Sequence, residues 1–486
     1  MRLLVFLLLF LPTILSAQYW NERYDFMGVQ GQQTNWAIEE TENGYVVFHV
    51  SYHPILGTQN IGTTLLDVDG NVMQDLYFEH EEYPTYAGWC NSVDETSDGN
   101  YIGGGSVASD ISKGYLVLYS DEGDTTWTQE FTETSLNIIG RSAFECTNGD
   151  FLLVGSRDKV SASDSVLGLV IRTDSMGELI WEKVYENEHQ LFLYSVQEIP
   201  AGGFLASGIT RYNDGNYNMT VLRIEEDGTE VWIKEYGDLG FGDNAPQMVE
   251  VTNDYFVLCG GQGVEAWGDD DPLKSYFAKI DLDGNVIWEH SYGPLELYTT
   301  ITVGKPTMDG GYIGAGIQGM LSGLVLKVDN QGDSLWMRTF KWNDDGNAFF
   351  RDIIPTSDGG YIACGMAYSS QELGLTQDGW VVKMDEFGCV VPGCHLSILE
   401  SSELADFMVY PNPASDVVNV YIQASSISLK GELVLSDLSG KVVMRTPTIG
   451  GDINLGIDVS EYESGMYLLQ FISEDAVLKT ERVMVN

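Results

Sequence analysis

The chain of 486 residues is strongly acidic, with 24 Lys and Arg against 72 Asp and Glu and a formal net charge of −48. A field of that sign repels nucleic acid and anionic lipid, so we expect neither as a partner. No stretch beyond the N-terminus approaches the run of about 18 apolar residues that a membrane helix needs, so no transmembrane segment is predicted.

The first 17 residues have the composition of a secretory signal peptide. A basic start at Arg2 is followed by an apolar stretch, Leu3 to Leu11, and by the small residues Ser16 and Ala17. This order of basic, apolar and small residues is typical of an export signal, and the apolar part is too short to span a bilayer. We predict cleavage after Ala17, so that the mature chain begins at Gln18.

Residues 18–395 contain seven copies of one β-unit. Each copy has a turn, often Asn-Gly or Asp-Gly, then an aromatic residue and a short apolar run, and the aromatics recur at steps of 49 to 56 residues. Such turns between apolar runs are strong hairpin signals, and a period of this length indicates a repeat architecture. The anchoring aromatics are Tyr45, Tyr101, Phe151, Phe204, Phe256, Tyr312 and Tyr361.

A second phrase follows in each copy, a strand, a tight turn and another strand, and in five copies this last strand carries a tryptophan. The tryptophan lies four residues after the turn glycine, and a second aromatic follows it by four. Even spacing places both rings on one face of a strand, so we expect them to dock each blade against its neighbour. The tryptophans are Trp127, Trp181, Trp232, Trp288 and Trp336.

Two copies depart from this phrase. The first has Gln74 at the tryptophan position, and the seventh has Pro392, which a paired strand tolerates poorly. Trp20 and Tyr24 near the N-terminus have the missing spacing. We therefore predict that they supply the outer strand of the last blade, which closes an all-β, seven-bladed β-propeller and removes its exposed sheet edges.

The six cysteines are compatible with disulfides in an exported protein. Cys389 and Cys394 bracket a turn-like segment, and we predict a bridge between them. Cys259 and Cys364 lie in apolar runs, where a cysteine acts as a small buried hydrophobe. The pairing of Cys90, Cys146, Cys259 and Cys364 stays open.

One acidic loop in the fifth copy contains Asp269, Asp270 and Asp271. Three adjacent carboxylates can contribute to a calcium site, because hard cations take several oxygen ligands. The alternative is a solvated acidic loop, which is what charge runs usually are. No other cofactor is predicted, and none of the six histidines belongs to a nucleophile or zinc motif.

The tail is separated from the repeats by a polar linker, residues 396–406, and consists of short alternating strands that favour a small β-sandwich. Its motifs resemble the C-terminal sorting domain of the type IX secretion system of Bacteroidota, of type A, over residues 407–486. That resemblance implies export through the type IX machinery to the cell surface or the medium. The residues that carry it are Tyr410, Pro411, Asn412, Pro413, Gly440, Gly465 and Tyr467.

Two hypotheses for the function remain open. The first is a monomeric, non-catalytic surface or secreted protein whose propeller loops bind a carbohydrate or a protein. The second is a hydrolase or lyase of extracellular polysaccharide that uses carboxylates at the propeller channel. Propellers host both, so the fold does not choose between them.

Overall fold

The computed structural model describes residues 19–24, 33–53, 58–77, 83–88, 92–133, 136–159, 162–237, 243–263, 273–294, 297–319, 322–342, 346–369, 377–391, 404–424, 430–437, 442–449, 453–460, 462, 464–473 and 476–485. The predicted signal peptide, residues 1–17, lies outside these ranges. The described residues form 36 β-strands. The chain folds into two compact units, Met1–Pro392 and Gly393–Asn486. Among the described residues, no helix has the length and apolar character needed to cross a bilayer.

The first unit consists of seven antiparallel sheets, as expected for a seven-bladed propeller. The strands of blades 1 to 4 are β2 (Gln33–Thr41), β3 (Gly44–His53), β4 (Thr58–Asp67) and β5 (Val72–Tyr77); β6 (Thr85–Ala87), β7 (Val93–Glu95), β8 (Tyr101–Val107), β9 (Lys113–Tyr119) and β10 (Thr125–Phe131); β11 (Leu136–Glu145), β12 (Phe151–Lys159), β13 (Ala162–Thr173) and β14 (Leu179–Tyr185); β15 (Gln190–Glu198), β16 (Phe204–Arg211), β17 (Tyr217–Ile224) and β18 (Glu230–Tyr236).

The strands of blades 5 to 7 are β19 (Asn244–Val251), β20 (Tyr255–Gly263), β21 (Leu273–Asp281) and β22 (Val286–Tyr292); β23 (Thr299–Pro306), β24 (Tyr312–Gln318), β25 (Ser322–Val328) and β26 (Ser334–Phe340); β27 (Gly346–Pro355), β28 (Tyr361–Ser369), β29 (Gln377–Met384) and, from the N-terminus, β1 (Trp20–Tyr24). The first strand of each blade packs against first strands of the neighbouring blades, for example β11 on β15 and β23 on β27. The first strands therefore line the central channel, and the fourth strands lie at the rim.

The N-terminal strand closes the ring. β1 pairs antiparallel with β29, with Trp20 opposite Lys383 and Tyr24 opposite Gly379. Arg23 forms a 2.8 Å ion pair with Asp378 in the same blade. The spacing of Trp20 and Tyr24 predicts that the N-terminal strand is the outer strand of the last blade, and this prediction is confirmed.

The aromatic pairs join each blade to the next. Trp20 Nε1–H donates to the Val68 carbonyl at 3.2 Å, and the Tyr24 hydroxyl donates to the Gly70 carbonyl at 2.8 Å, both in the turn before the fourth strand of blade 1. Gly70 has φ +82°, and a Cβ there would come within 2.9 Å of the Trp20 ring. Both the backbone conformation and the lack of space therefore require glycine at this position.

The same arrangement recurs around the ring. A Cβ on the equivalent turn glycine of the next blade would lie 2.8 to 3.3 Å from Trp127, Trp181, Trp288 or Trp336, and Trp232 Nε1–H donates to the Leu282 carbonyl at 3.3 Å. Blade 1 lacks the tryptophan, and there Thr63 Oγ1 donates to the Gly123 carbonyl at 2.9 Å instead. A pocket of 220 Å³, lined by Thr63, Tyr77, Tyr119 and Gly123 among others, lies at this blade contact.

The second unit is a β-sandwich. One sheet contains β30 (Leu404–Tyr410), β31 (Val417–Ala424) and β34 (Ile453–Asp458); the other contains β32 (Lys430–Asp437), β33 (Val442–Ile449), β35 (Gly465–Ser473) and β36 (Ala476–Val485). Its core joins both sheets through buried side chains such as Val420, Leu435, Leu469 and Phe471. The first strand begins inside the predicted linker, because Leu404 already pairs with Ala424 at the end of β31.

Candidate functional site

The two ends of the propeller channel are built from different kinds of connection. At one end, called the turn face, first strands lead to second strands and third to fourth through two to five residues. At the other end, called the loop face, second strands lead to third and fourth strands lead to the next blade through two to nine residues. The connections at the loop face differ more in length among the repeats than those at the turn face. We therefore expect the loop face to determine which ligand binds.

Most of the first strands share a β-bulge. Six of them contain a register shift, which places one residue of the first strand outside the pairing with the second strand. Five strands have one such shift, and β19 has two. A β-bulge re-aims its side chain. For the five first strands with a single shift, which line the channel, we infer that the bulge turns this side chain towards the channel. We call this set the bulge ring: Trp36, Arg141, Tyr194, Thr302 and Arg351.

Side chains of the bulge ring contact one another between adjacent blades. The Arg351 guanidinium carbon of blade 7 lies 4.7 Å from the centre of the Trp36 ring in blade 1 and 4.6 Å from that of Phe349. The Arg141 guanidinium of blade 3 lies 5.0 Å from the Tyr194 ring in blade 4. Trp36, Arg141 and Arg351 are only partly buried, so part of each side chain faces open space.

A charged cluster, called the channel mouth, lies nearer the turn face. Glu39, Asp94 and Lys305 come from blades 1, 2 and 6. Asp94 and Lys305 each lie two residues before the turn that follows the first strand, and Glu39 lies three residues before its turn. Burial lowers the pKa of Lys305, but attraction to Asp352, Glu39 and Asp94 outweighs that effect, so the pKa is raised. Lys305 therefore interacts electrostatically with carboxylates of blades 7, 1 and 2.

The carboxylic acids of the channel mouth are hard to ionise. Burial raises the pKa of Glu39 to about 8, partly offset by Lys305. Burial also raises the pKa of Asp94 to about 6, again partly offset by Lys305. An acid that holds its proton near neutral pH can act as a general acid.

Asp352 links this cluster to the blade contact. It is fully buried, and its two oxygens accept hydrogen bonds from the backbone N–H of Ile38 at 3.0 Å and of Ile353 at 2.8 Å. The pKa of Asp352 is raised by burial, with Lys305 acting in the opposite direction. A pocket of 620 Å³ opens beside the cluster and is lined by Glu39, Glu95 and Lys305 among others.

The predicted calcium ligands and part of the predicted disulfide lie outside the described residues. Asp269, Asp270 and Asp271 fall between β20 and β21 in the sequence. Cys389 is disulfide-bonded, but Cys394 and Cys90 are not among the described residues, so the pairing stays a prediction. Cys146, Cys259 and Cys364 are buried thiols outside any disulfide. The described part of the chain contains no group of three or more His, Cys, Asp or Glu arranged to hold a metal ion.

Asn412 of the sorting motif contacts the last strand of the β-sandwich. Asn412 Nδ2 donates to the Arg482 carbonyl at 2.5 Å, and Asn412 Oδ1 accepts from the Met484 N–H at 2.8 Å. Both Tyr410–Pro411 and Asn412–Pro413 peptide bonds are cis. Tyr467 is buried in the core and Gly465 begins β35, while Gly440 lies beyond the described ranges.

The bulge ring and the channel mouth were not found by reading composition and motifs. A usable signal was nevertheless present in the spacing to the turn. Arg141, Tyr194, Thr302 and Arg351 lie five positions before the first residue of their turns, and Asp94 and Lys305 lie two positions before theirs. Trp36 and Glu39 of blade 1 are each one position further from their turn, so an alignment of the repeats on the turn with a one-residue gap in blade 1 brings both sets into single columns.

Residues 408–486 match the family described as the secretion system C-terminal sorting domain. This tail is an export signal. The protein is therefore secreted or displayed on the cell surface. It crosses the outer membrane through the type IX machinery, which recognises such domains. No curated protein sequence matches the chain.

Three solved structures are similar to about three quarters of the chain. The β-propeller domain of the trilobed protease from Pyrococcus furiosus is 11% identical, covering 71% of this chain and 91% of its own, with a TM-score of 0.40. A periplasmic gluconolactonase from Pseudomonas aeruginosa is 11% identical, covering 73% and 97%, with a TM-score of 0.40. An α-L-arabinanase from Penicillium chrysogenum is 11% identical, covering 76% and 97%, with a TM-score of 0.40.

Proposed function

We propose that this protein is an exported, non-catalytic propeller that binds an extracellular carbohydrate or protein through its loop face and channel. The observation that carries the proposal is the bulge ring. Its arginines and its tryptophan are partly exposed and come from the strands that line the channel, while tryptophans at the rim also dock the blades. Aromatic rings and arginines are the side chains most often responsible for binding energy at recognition sites.

We also propose that the protein is attached to the surface or released after sorting, that its sorting domain is of type A, and that it comes from a member of the Bacteroidota. A monomeric mature chain is part of the same proposal. The resemblance of the tail motifs supports the first three, and the pairing of β1 with β29, which covers the edge of β29, supports the last.

A panel of extracellular glycans and surface proteins, incubated with the mature chain and scored for binding and for turnover together, tests the proposal. We expect binding without product, weakened by Trp36→Ala and unchanged by Trp342→Ala, which removes an exposed tryptophan outside the bulge ring. Binding that survives Trp36→Ala unchanged would place the ligand elsewhere, and steady product formation would contradict a purely binding role.

The second candidate, a polysaccharide hydrolase or lyase, is favoured by the channel mouth. Glu39 keeps its proton at neutral pH and Asp94 loses its proton at lower pH, which is the division of roles that acid–base cleavage of a glycosidic bond requires. If the mature chain cleaves a glycan, Glu39→Gln should abolish cleavage while leaving glycan binding intact. Cleavage that survives Glu39→Gln would exclude this assignment.

A further inference from the structure

The 620 Å³ pocket beside the channel mouth combines acidic and apolar side chains from different blades. Blades 1 and 2 contribute acids, whereas blades 6 and 7 contribute apolar residues and one cation. The acids are Glu39, Glu40, Glu42 and Glu95, the apolar residues are Pro306, Ile354 and Pro355, and the cation is Lys305. Such a lining matches a ligand that has an apolar stem and a positively charged end.

The Glu39 carboxyl group is available to a ligand. Within the described ranges it forms no hydrogen bond, and its pKa is set by burial and by neighbouring charges alone. The carboxylate of Glu40, next to it in sequence, differs, because it accepts hydrogen bonds from the Ser357 N–H at 2.7 Å and from the Ser357 hydroxyl at 2.8 Å. A carboxyl group that is removed from water without a hydrogen-bond partner costs free energy, which a donor on a ligand would recover.

The surroundings of Glu39 are short of positive charge. Lys305 is attracted by three carboxyl groups, those of Asp352, Glu39 and Asp94. Burial raises the pKa of Glu39 to about 8 and that of Asp94 to about 6, and the single ammonium offsets these effects only in part. A second cation would complete the balance. An inorganic ion lacks its ligand set here, because the described residues include no group of three or more His, Cys, Asp or Glu arranged to hold a metal.

We propose that this pocket binds a primary ammonium on an aliphatic stem, the side chain of a lysine in a protein ligand. The stem lies against Ile354 and Pro355, and the ammonium meets the carboxylate of Glu39. The three donors of an ammonium can reach acceptors on two blades, Glu39 and Glu95, whereas the planar guanidinium of arginine directs its donors in one plane. An amino sugar has no stem to fill the apolar part. The site is additional to the binding by the loop face proposed above.

The test uses the mature full-length chain and a short neutral peptide with one central lysine, with its Nε-acetyl form as the matched uncharged ligand. Titration calorimetry at pH 9 and about 150 mM salt, which screens the long-range field of the acidic chain, should show at least tenfold tighter binding of the lysine peptide. Glu39→Gln should weaken that binding at least tenfold. Glu22→Gln removes the same charge from an exposed position on the outer strand of blade 7 and should bind like the wild type. Circular dichroism of each variant verifies the fold.

The dependence of binding on pH separates a direct role of Glu39 from a structural one. Between pH 7 and pH 9 its carboxyl group changes from mostly protonated to mostly ionised, while the lysine of the peptide stays charged. The affinity of the wild type should therefore rise about tenfold, and that of Glu39→Gln should not. The other charged groups around Glu39 are Lys305, Asp352, Asp94, Glu95, Glu40 and Glu42. A rise that persists in Glu39→Gln would assign the titration to one of these groups and overturn the role of Glu39.

The remaining outcomes distinguish the source of the ammonium and the two proposals. Equal affinity for the lysine and acetyl-lysine peptides, or full affinity of Glu39→Gln at pH 9, would overturn the ammonium site and leave the binding by the loop face standing. Binding of 1,5-diaminopentane without binding of the peptide would overturn the protein source and assign the pocket to a free amine. Failure of the proposed function would show differently, as an absence of binding to every glycan and protein of the panel while the lysine peptide still binds.

Discussion

Replacing Trp20 tests whether the N-terminal strand holds the ring closed. Trp20 is 7% exposed, contacts Tyr24 and Tyr45 edge-on at 6.4 and 6.3 Å, and lies against Gly70 of blade 1. Its Nε1–H donates to Val68, so Trp20→Ala removes both packing and a hydrogen bond. β1 is held to the last blade by its pairing with β29, and these contacts of Trp20 join it to blade 1 across the closure.

The expected loss can be worked out from those contacts. Truncating a buried tryptophan to alanine costs about 3–5 kcal/mol, and the hydrogen bond adds about 1 kcal/mol. A domain of ordinary stability, about 5–15 kcal/mol, would lose a large part of its free energy of unfolding. Glu22→Ala is the control, because Glu22 is an exposed residue of the same strand and its loss should change stability by about 0.5 kcal/mol or less.

Urea unfolding of the mature chain measures the effect. All eleven tryptophans precede Pro392, so tryptophan fluorescence reports the propeller and not the β-sandwich. We expect the midpoint to fall strongly for Trp20→Ala and to stay near the wild-type value for Glu22→Ala. If both variants unfold at the same urea concentration, β1 is not what keeps the propeller closed.

Four further results are expected. Gln74→Trp should fill the 220 Å³ pocket between blades 1 and 2 and raise the free energy of unfolding by about 1–3 kcal/mol, whereas Gln74→Ala should not. The Glu39 carboxyl has its pKa raised to about 8 in the folded state, so its contribution to stability is complete below about pH 4.5 and is lost as the pH rises through 8; Glu39→Gln should therefore be more stable than wild type at pH 8 and equal to it at pH 4. Asn412→Ala should reduce the amount of protein outside the cell, as deletion of residues 407–486 should do completely, and export unaffected by the deletion would contradict the sorting role. Chelation by EDTA should lower the melting temperature if the acidic loop of blade 5 binds calcium, and an unchanged melting temperature would exclude that site.

The architecture could be predicted because the residues that build it repeat. Turn glycines such as Gly332 and ring partners such as Trp288 occur at fixed spacing, and each pair is explained by one local contact between consecutive blades. The N-terminal strand was predictable for the same reason, since Trp20 and Tyr24 fill a gap in an otherwise regular pattern. Blade 2 departs from the pattern because its first strand is divided into β6 and β7.

The channel could not be predicted in the same way. A bulge such as that at Arg351 is defined by the register between two strands, and no residue type signals it. The channel mouth unites Glu39, Asp94 and Lys305, which are far apart in sequence and belong to blades with different residues at that position. Their interaction depends on the closed ring and appears only when the seven first strands are placed around one axis.

The pairing of β1 with β29 also sets an order of events. Trp20 lies opposite Lys383, so the contact that completes the ring spans nearly the whole propeller sequence and cannot form before the last blade exists. Contacts between residues so distant in sequence are slow to form, and until this one forms the edge of β29 is open to pairing with other chains. The time between synthesis and ring closure is therefore the period in which this protein is most exposed to aggregation.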